Sequence, residues 1–179
     1  MTLHNRLAQL RFEVVMRYLL SRNYALVRFG TLQECFESYP LERSLKGKTV
    51  VDVGCDYLNS PIYWRANGAA KVIGYEVKPS YQRFIEKRLV NMPWFEFRGR
   101  WDGEMPKADV FKIDAEGPEE KLRAQWLQEY DTWFVAVHEQ PERGVNTKWM
   151  IPGLQAVGGR QVLDHDHGSE LVFKGGRIP

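Results

Sequence analysis

Residues 49–53, TVVDV, form a short β-branched run that stops at Gly54, and this run limits how the rest of the chain can pair. An apolar run without polar alternation suits a parallel strand buried on both faces, which requires crossover helices to cover it. The sequence supplies them. Ser60 to Asn67 reads as a helix with Ser60 as N-cap, Pro61 at the first helical position and Gly68 as its stop. Lys71 to Val77 reads as a second strand, Pro79 to Leu89 as a second helix and Trp94 to Arg98 as a third strand. Asp109 to Asp114 is a fourth strand, Pro118 to Tyr130 a third helix and Thr132 to His138 a fifth strand. A short helix over Lys148 to Ala156, interrupted at Pro152-Gly153, precedes two strands, Arg160 to Leu163 and Glu170 to Lys174, that face each other across DHDHGS. The expected class is α/β: a doubly wound, mostly parallel seven-stranded sheet with helices on both faces and a C-terminal antiparallel hairpin.

At 179 residues the chain reads as one domain with its own core, with 1–46 as a helical extension packed on it and 47–179 as the sheet domain. Within that extension Leu3 to Ser21 lacks Gly and Pro and reads as a helix. Its two cysteines, Cys35 and Cys55, are far apart and form neither a disulfide framework nor a cysteine zinc site, so a reducing, cytoplasmic setting is expected. No stretch approaches the roughly 20 apolar residues of a membrane helix, and a soluble monomer or homodimer is expected. The net charge of +2 is too small to imply a polyanion partner. Local charge is more informative. Residues 1–30 carry Arg6, Arg11, Arg17, Arg22 and Arg28 against Glu13, whereas 102–120 carry seven acids against Lys107 and Lys112.

A dinucleotide turn needs glycines so that its backbone can approach a pyrophosphate. Here the turn runs Gly54-Cys55-Asp56-Tyr57-Leu58-Asn59, with Asp56 and Asn59 where later glycines would stand. A carboxylate facing two phosphates is repelled, so NAD and FAD are disfavoured, and no P-loop lysine follows. S-adenosylmethionine makes a different demand. It carries a ribose and an adenine but no phosphate, and its ammonium and sulfonium are cations that carboxylates attract. Glu76, ending the second strand 24 residues after Asp52, stands near the offset at which such sheets place an acid on ribose hydroxyls.

Asp52-Val53-Gly54 with Asn59-Ser60-Pro61, then NGAAKVIGYEVKP, then FKIDAEGPEEKL at 111–122, resemble class I S-adenosylmethionine-dependent methyltransferases of Rossmann-like fold, specifically the FkbM-type group. The similarity spans roughly 48–140, and the KIDAEGPE string carries the FkbM-type assignment. The resemblance implies that Asp52, Gly54 and Cys55 touch the methionine part of the cofactor, that Glu76 holds the ribose, and that Arg100, Trp101 and Asp102 lie near the adenine. Asp56, Asn59 and Ser60 complete the expected cofactor set. The family pattern has glycine where Leu58 stands and asparagine where Asp56 stands.

In an open α/β sheet ligands bind at the carboxyl ends of the strands, where Asp114, Glu116, His138 and Glu139 fall. Asp114 or His138 is a candidate base for an acceptor hydroxyl, and Asp114 also touches the cofactor set. Glu116 and Glu139 could join Asp114 around a divalent ion, although acids at a helix N-terminus are favoured without one, and no metal is assigned. Asp164-His165-Asp166-His167 reads as a polar hairpin tip. Trp64, Trp94, Trp126 and Trp133 read as core, whereas Trp101 and Trp149 sit near the expected ligand edge. The resemblance points to a methyl acceptor oxygen on a small molecule. The alternatives are an RNA methyltransferase using the arginine-bearing N-terminal helix, and a non-catalytic relative that keeps the fold as a binding surface. An NAD-linked oxidoreductase ranks last because the turn lacks its glycines.

Overall fold

The computed structural model describes residues 29–165 and 170–177, without side chains for 29–33 and 165. The helix expected over Leu3 to Ser21 lies outside them, as does the tip of the final hairpin. Within them the strands are β1 (Thr49–Val53), β2 (Lys71–Tyr75), β3 (Phe95–Phe97), β4 (Val110–Ile113), β5 (Thr132–Gln140), β6 (Val145–Asn146), β7 (Arg160–His165) and β8 (Glu170–Gly175). The α-helices are α1 (Phe29–Ser38), α2 (Asn59–Ala66), α3 (Pro79–Glu86) and α4 (Ile151–Ala156).

Seven strands form one sheet in the order β3-β2-β1-β4-β5-β8-β7, and the two-residue β6 pairs on the far end of β5. The first five run parallel, and β8 and β7 close the edge antiparallel. The expected class therefore holds. Strand order reverses between β1 and β4, which is where such sheets open a crevice at their carboxyl ends.

Alternation along the strands splits the core into two layers. Val50, Val72, Val110, Phe134 and Ala136 face α1 and α2, joined there by Cys35, Tyr39 and Trp64. Val51, Ile73, Phe111, Trp133 and Val135 face the other way, against Leu127 and Leu154. The same parity puts Asp52, Lys112 and His138 on the α1 and α2 side. Three charged residues thus sit in a layer that is otherwise apolar.

Several local expectations need correction. The helix α2 starts one residue early, and its N-cap is Leu58 at φ 73° with no side-chain cap bond, because Ser60 turns its hydroxyl to the buried Asp52 instead. The single helix expected over Pro118 to Tyr130 is two 3-10 stretches, Pro118–Lys121 and Ala124–Glu129, with extended backbone at Leu122 and Arg123. Pro152-Gly153 does not interrupt α4, since Pro sits in its first turn where no amide bond is lost. Trp126 is 39% exposed and so lies outside the core. Asp164 and His165 belong to β7, not to a hairpin tip. The helix α1 and strand β6 carry no strong pattern in the sequence and were not expected.

Leu58 explains its own departure from the family pattern. Its left-handed backbone is the conformation a glycine would hold at no cost, while a leucine pays roughly 1–2 kcal/mol. Its side chain is 2% exposed among Ile62, Tyr63 and Phe95 of the core layer, and burying a leucine contributes about 1.5–3 kcal/mol. Burial wins. Leu58→Gly is expected to lower stability by about 1–3 kcal/mol in urea denaturation, because the lost side chain outweighs the relieved strain. An unchanged or raised midpoint would show that strain dominates the turn.

Candidate active site

Three strand ends meet at the crevice. Gly54 leaves β1 at φ 80°, and a Cβ there would lie 1.8 Å from the Asp114 carbonyl oxygen, so only glycine lets the β1 turn pass the end of β4. Glu76, next after β2, is buried, and its carboxylate accepts the backbone N–H groups of Asp56 (3.0 Å), Val77 (2.7 Å) and Lys78 (2.8 Å). That carboxylate ties the β1 turn to the β2 turn. Together with Asp56, Trp101, Asp114 and Glu116, these residues line a cleft of about 260 Å³. Sequence reasoning missed Tyr75, Val77, Lys78 and Tyr81 in the same wall. Of these, Val77 and Lys78 follow directly on Glu76 and could have been found from that adjacency.

A larger cavity of about 570 Å³ lies at the opposite, amino edge, between Leu41–Leu45 and Asp109. Size does not decide between the two, because ligands of open α/β sheets bind in the crevice at the carboxyl ends of the strands.

Five residues of the expected cofactor set, Asp52, Cys55, Asn59, Ser60 and Asp102, do not line the cleft. Asp52 faces the core, where its carboxylate pairs with the Lys112 ammonium at 3.0 Å and accepts the Trp64 indole N–H at 2.9 Å. Cys55 is buried with its sulfur near Gly74, and burial pushes its thiol well above the usual range. Asn59 is also buried and donates to Asp56 at 3.3 Å. Asp102 is exposed and accepts the Glu104 N–H. Asp52, Cys55, Asn59 and Ser60 are buried and shape the turn from behind, Asp52 through the strand alternation that turns it to the core and the other three beside the positive backbone angles of Gly54, Asp56 and Leu58.

Lys112 escaped the sequence reading, although a lysine inside FKI was the visible signal. It is 2% exposed and also donates to the carbonyls of Val53 (3.2 Å) and Gly54 (2.7 Å). Burial alone would lower its pKa, but the carboxylates of Asp52 and Asp114 raise it above that of a free lysine. Burial pushes Asp52 upward against the pull of that single ammonium. The pair is ionic, since the ammonium's two carbonyl bonds and the carboxylate's bonds from Trp64 and Ser60 satisfy the charged forms of both.

At the end of β4, Asp114 accepts the Tyr39 hydroxyl on Oδ2 and faces His138 Nε2 at 3.3 Å on Oδ1. Burial would raise its carboxyl, but His138, Lys112 and Tyr39 hold it well below the usual range. His138 is buried, so it sits behind Asp114 and does not line the cleft. Its Nδ1 faces Glu119 at 3.5 Å. Glu119, which the sequence presents only as an acid near a helix N-terminus, is fully buried and accepts the amides of Ala115, Glu116 and Gly117. Burial lowers the His138 pKa and the two carboxylates overcome it, raising it to about 10.

The divalent-ion arrangement weighed for Asp114, Glu116 and Glu139 does not assemble. Glu116 pairs with Arg143 at 2.6 Å, and Glu139 pairs with Lys148 outside the cleft. Asp114, Glu119 and His138 do place an oxygen or nitrogen each within 4.8 Å of one another. The two ring nitrogens, however, point to different carboxylates, which is the geometry of an ion-paired imidazolium.

Comparison with known proteins follows this geometry. No family model matches the chain. Uncharacterized protein 65 of Sulfolobus islandicus filamentous virus (isolate Iceland/Hveragerdi) is 33% identical over 110 residues, covering 60% of this chain and 70% of that protein. The chain belongs to the family of that protein. Among solved structures, Aeropyrum pernix fibrillarin with natively bound S-adenosyl-L-methionine superposes with a TM-score of 0.58 at 12% identity, over 80% of this chain and 73% of that one. Methanococcus jannaschii fibrillarin, a pre-rRNA processing protein, gives 0.52 at 15% identity over 76% and 71%. The C-terminal domain of precorrin-6Y C5,15-methyltransferase from Rhodobacter capsulatus gives 0.54 at 10% identity over 84% and 89%. The fold is that of the class I S-adenosylmethionine-dependent methyltransferases. No helix among the described residues is long and apolar enough to cross a membrane.

Lys112→Met is expected to lose about 3–5 kcal/mol of stability, because it strands the Asp52 carboxylate without a cation. Adding Asp52→Asn should recover much of that loss in urea denaturation, and failure to recover would show that the pair is not coupled. The raised His138 pKa also sets a pH dependence. A histidine held at about 10 stabilises fully below its unfolded value near 6.5, and that stabilisation declines as pH rises toward 10. Above about pH 8.5 the buried Cys35 and Cys55 thiols add to the decline, because the unfolded chain ionises them first. The melting temperature is therefore expected to fall between pH 6.5 and 8.5, and His138→Gln should flatten that part of the curve.

Proposed function

We propose that the protein is an S-adenosylmethionine-dependent methyltransferase that binds its cofactor in the cleft between the ends of β1, β2 and β4. The observation that carries this reading is the meeting of Gly54, Glu76 and Asp114 where the strand order reverses. Its lining suits the ligand. Asp56, Glu76, Asp114 and Glu116 outnumber Lys78 and Arg100 there, so the cleft favours a ligand with cationic ammonium and sulfonium groups. Glu76 accepts two amides on Oε1 and one on Oε2, which leaves a lone pair of Oε2 for a ribose hydroxyl. The exposed Val77 offers apolar surface for an adenine, with the buried Trp101 at the floor of the cleft. The bound cofactor supplies an electrophilic methyl group. In this reading Gly54 allows close approach, Glu76 orients the ribose, and Asp114 stands where the acceptor must approach. Asp52, Cys55, Asn59 and Ser60 act from behind by holding the turn, and residues 1–46 extend a domain formed by 47–179.

The FkbM-type resemblance of KIDAEGPE adds an oxygen on a small molecule as acceptor. A second reading, an RNA acceptor, is favoured by the likeness to a pre-rRNA processing protein and by the five arginines before residue 30. Its obstacle is the acidic cleft, which repels phosphate.

Calorimetric titration with S-adenosylmethionine and S-adenosylhomocysteine is expected to give one site per chain, and Glu76→Gln to weaken both ligands by about tenfold or more through the lost charge-assisted ribose bonds. Absence of heat with either ligand would overturn the enzyme reading in favour of a non-catalytic relative.

A further inference from the structure

Three carboxylates from three elements face the His138 ring: Asp114 after β4, Glu119 in the following 3-10 helix, and Glu170 at the start of β8, 3.9 Å from Nε2. The neighbouring hydroxyls are otherwise engaged. Tyr39 donates to Asp114, and Thr147 accepts the His138 backbone N–H. Lys112, two residues before Asp114, is committed to Asp52 and to the carbonyls of Val53 and Gly54. A neutral imidazole carries one N–H, so it would set the lone pair of its other nitrogen against a buried carboxylate oxygen. Only the imidazolium carries a proton on the nitrogen facing each carboxylate, at ion-pair distances of 3.3 Å to Asp114 and 3.5 Å to Glu119.

The two carboxylates do different things. Glu119 gathers the amides of Ala115, Glu116 and Gly117 and so fixes the loop, with positive φ at Glu116 and Gly117, that forms one wall of the cleft. Asp114 faces the cleft itself, its side chain about one fifth exposed. We propose that His138 is a positioning residue carried as an imidazolium between Asp114 and Glu119, and that the Asp114 carboxylate it pins takes an N–H-donating nitrogen nucleophile as the methyl acceptor.

The proposal rests on the methyltransferase reading but replaces the acceptor oxygen that the FkbM-type resemblance adds, and the chemistry favours nitrogen for a definite reason. An alcohol must lose its proton as it attacks, and a carboxylate stabilised by a cation and a hydroxyl is a weak base for that task. A neutral nitrogen needs no prior deprotonation. Its lone pair forms the N–C bond to the methyl carbon while the C–S bond breaks, its electron pair returning to sulfur as a neutral thioether. The positive charge moves to nitrogen, whose now acidic proton passes to water. Throughout, Asp114 has only to accept a hydrogen bond from the N–H and to stabilise the charge that develops there.

Two measurements test this on the full chain. With ¹⁵N-labelled histidine, assigned through His138→Gln, both ring nitrogens of His138 are expected to carry protons at pH 8, and Glu119→Gln should move the titration toward ordinary histidine. A singly protonated His138 at pH 7.5 would overturn the positioning role even if the cofactor binds. Calorimetry then compares S-adenosylhomocysteine with the cofactor analogue that has a protonated amine in place of the sulfonium methyl. Asp114→Asn is expected to weaken the amine analogue by about tenfold more than S-adenosylhomocysteine. Equal weakening would overturn the nitrogen acceptor. No heat with either ligand would overturn the cofactor reading and the acceptor with it, while the nitrogen spectrum still reports the charge on His138.

Discussion

The Lys112 ammonium, buried between β1 and β4, is the interaction on which the rest of the site depends. It holds the Asp52 carboxylate and the last two carbonyls before the turn, so the path of the chain out of β1 is set from inside the sheet. Taking two charges out of water is costly, and the cost is offset only where every remaining lone pair and proton finds a partner. Here Trp64 and Ser60 complete Asp52, and the two carbonyls complete Lys112. Such a network tolerates no casual substitution, and it gives the turn a fixed shape without the glycines that similar turns use.

The strands were legible because their signal is strong: β-branched runs stopped by Gly or by acids, at intervals that leave room for a crossover. Thr49–Val53 was placed to the residue, and the edges of β2, β4 and β8 to within two. The helical parts were less legible. Pro118 to Tyr130 has helix-forming residues, yet Leu122 is drawn into the core with extended backbone and splits it. The helix α1 carries a glycine and scattered aromatic residues without a clean apolar stripe, so only the tertiary contacts of Cys35, and of Tyr39 just after it, reveal what it does.

For the site, the residues at strand ends could be read, and the direction in which they point could not. Gly54, Glu76 and Asp114 follow from where strands stop. The side on which Asp52 falls is set by the parity of β1, and the path of Cys55, Asn59 and Ser60 runs through the positive backbone angles of Asp56 and Leu58, which side chains of those types do not announce. Glu119 was hidden for another reason. Its sequence context is that of a first-turn acid on a helix, and only folding brings it under His138.

The two buried glutamates have a consequence for what may enter. Around a phosphate-binding turn, clustered amide protons form a concave nest that waits for an outside anion. In this protein Glu76 fills one such nest, with the amides of Asp56, Val77 and Lys78, and Glu119 fills another, with those of Ala115, Glu116 and Gly117. Both receptors are closed by the chain's own carboxylates. On the proposed reading this inverts the cleft in sign, from a cradle for phosphates to a seat for cations, and makes its backbone as well as its missing glycines unfavourable to a dinucleotide.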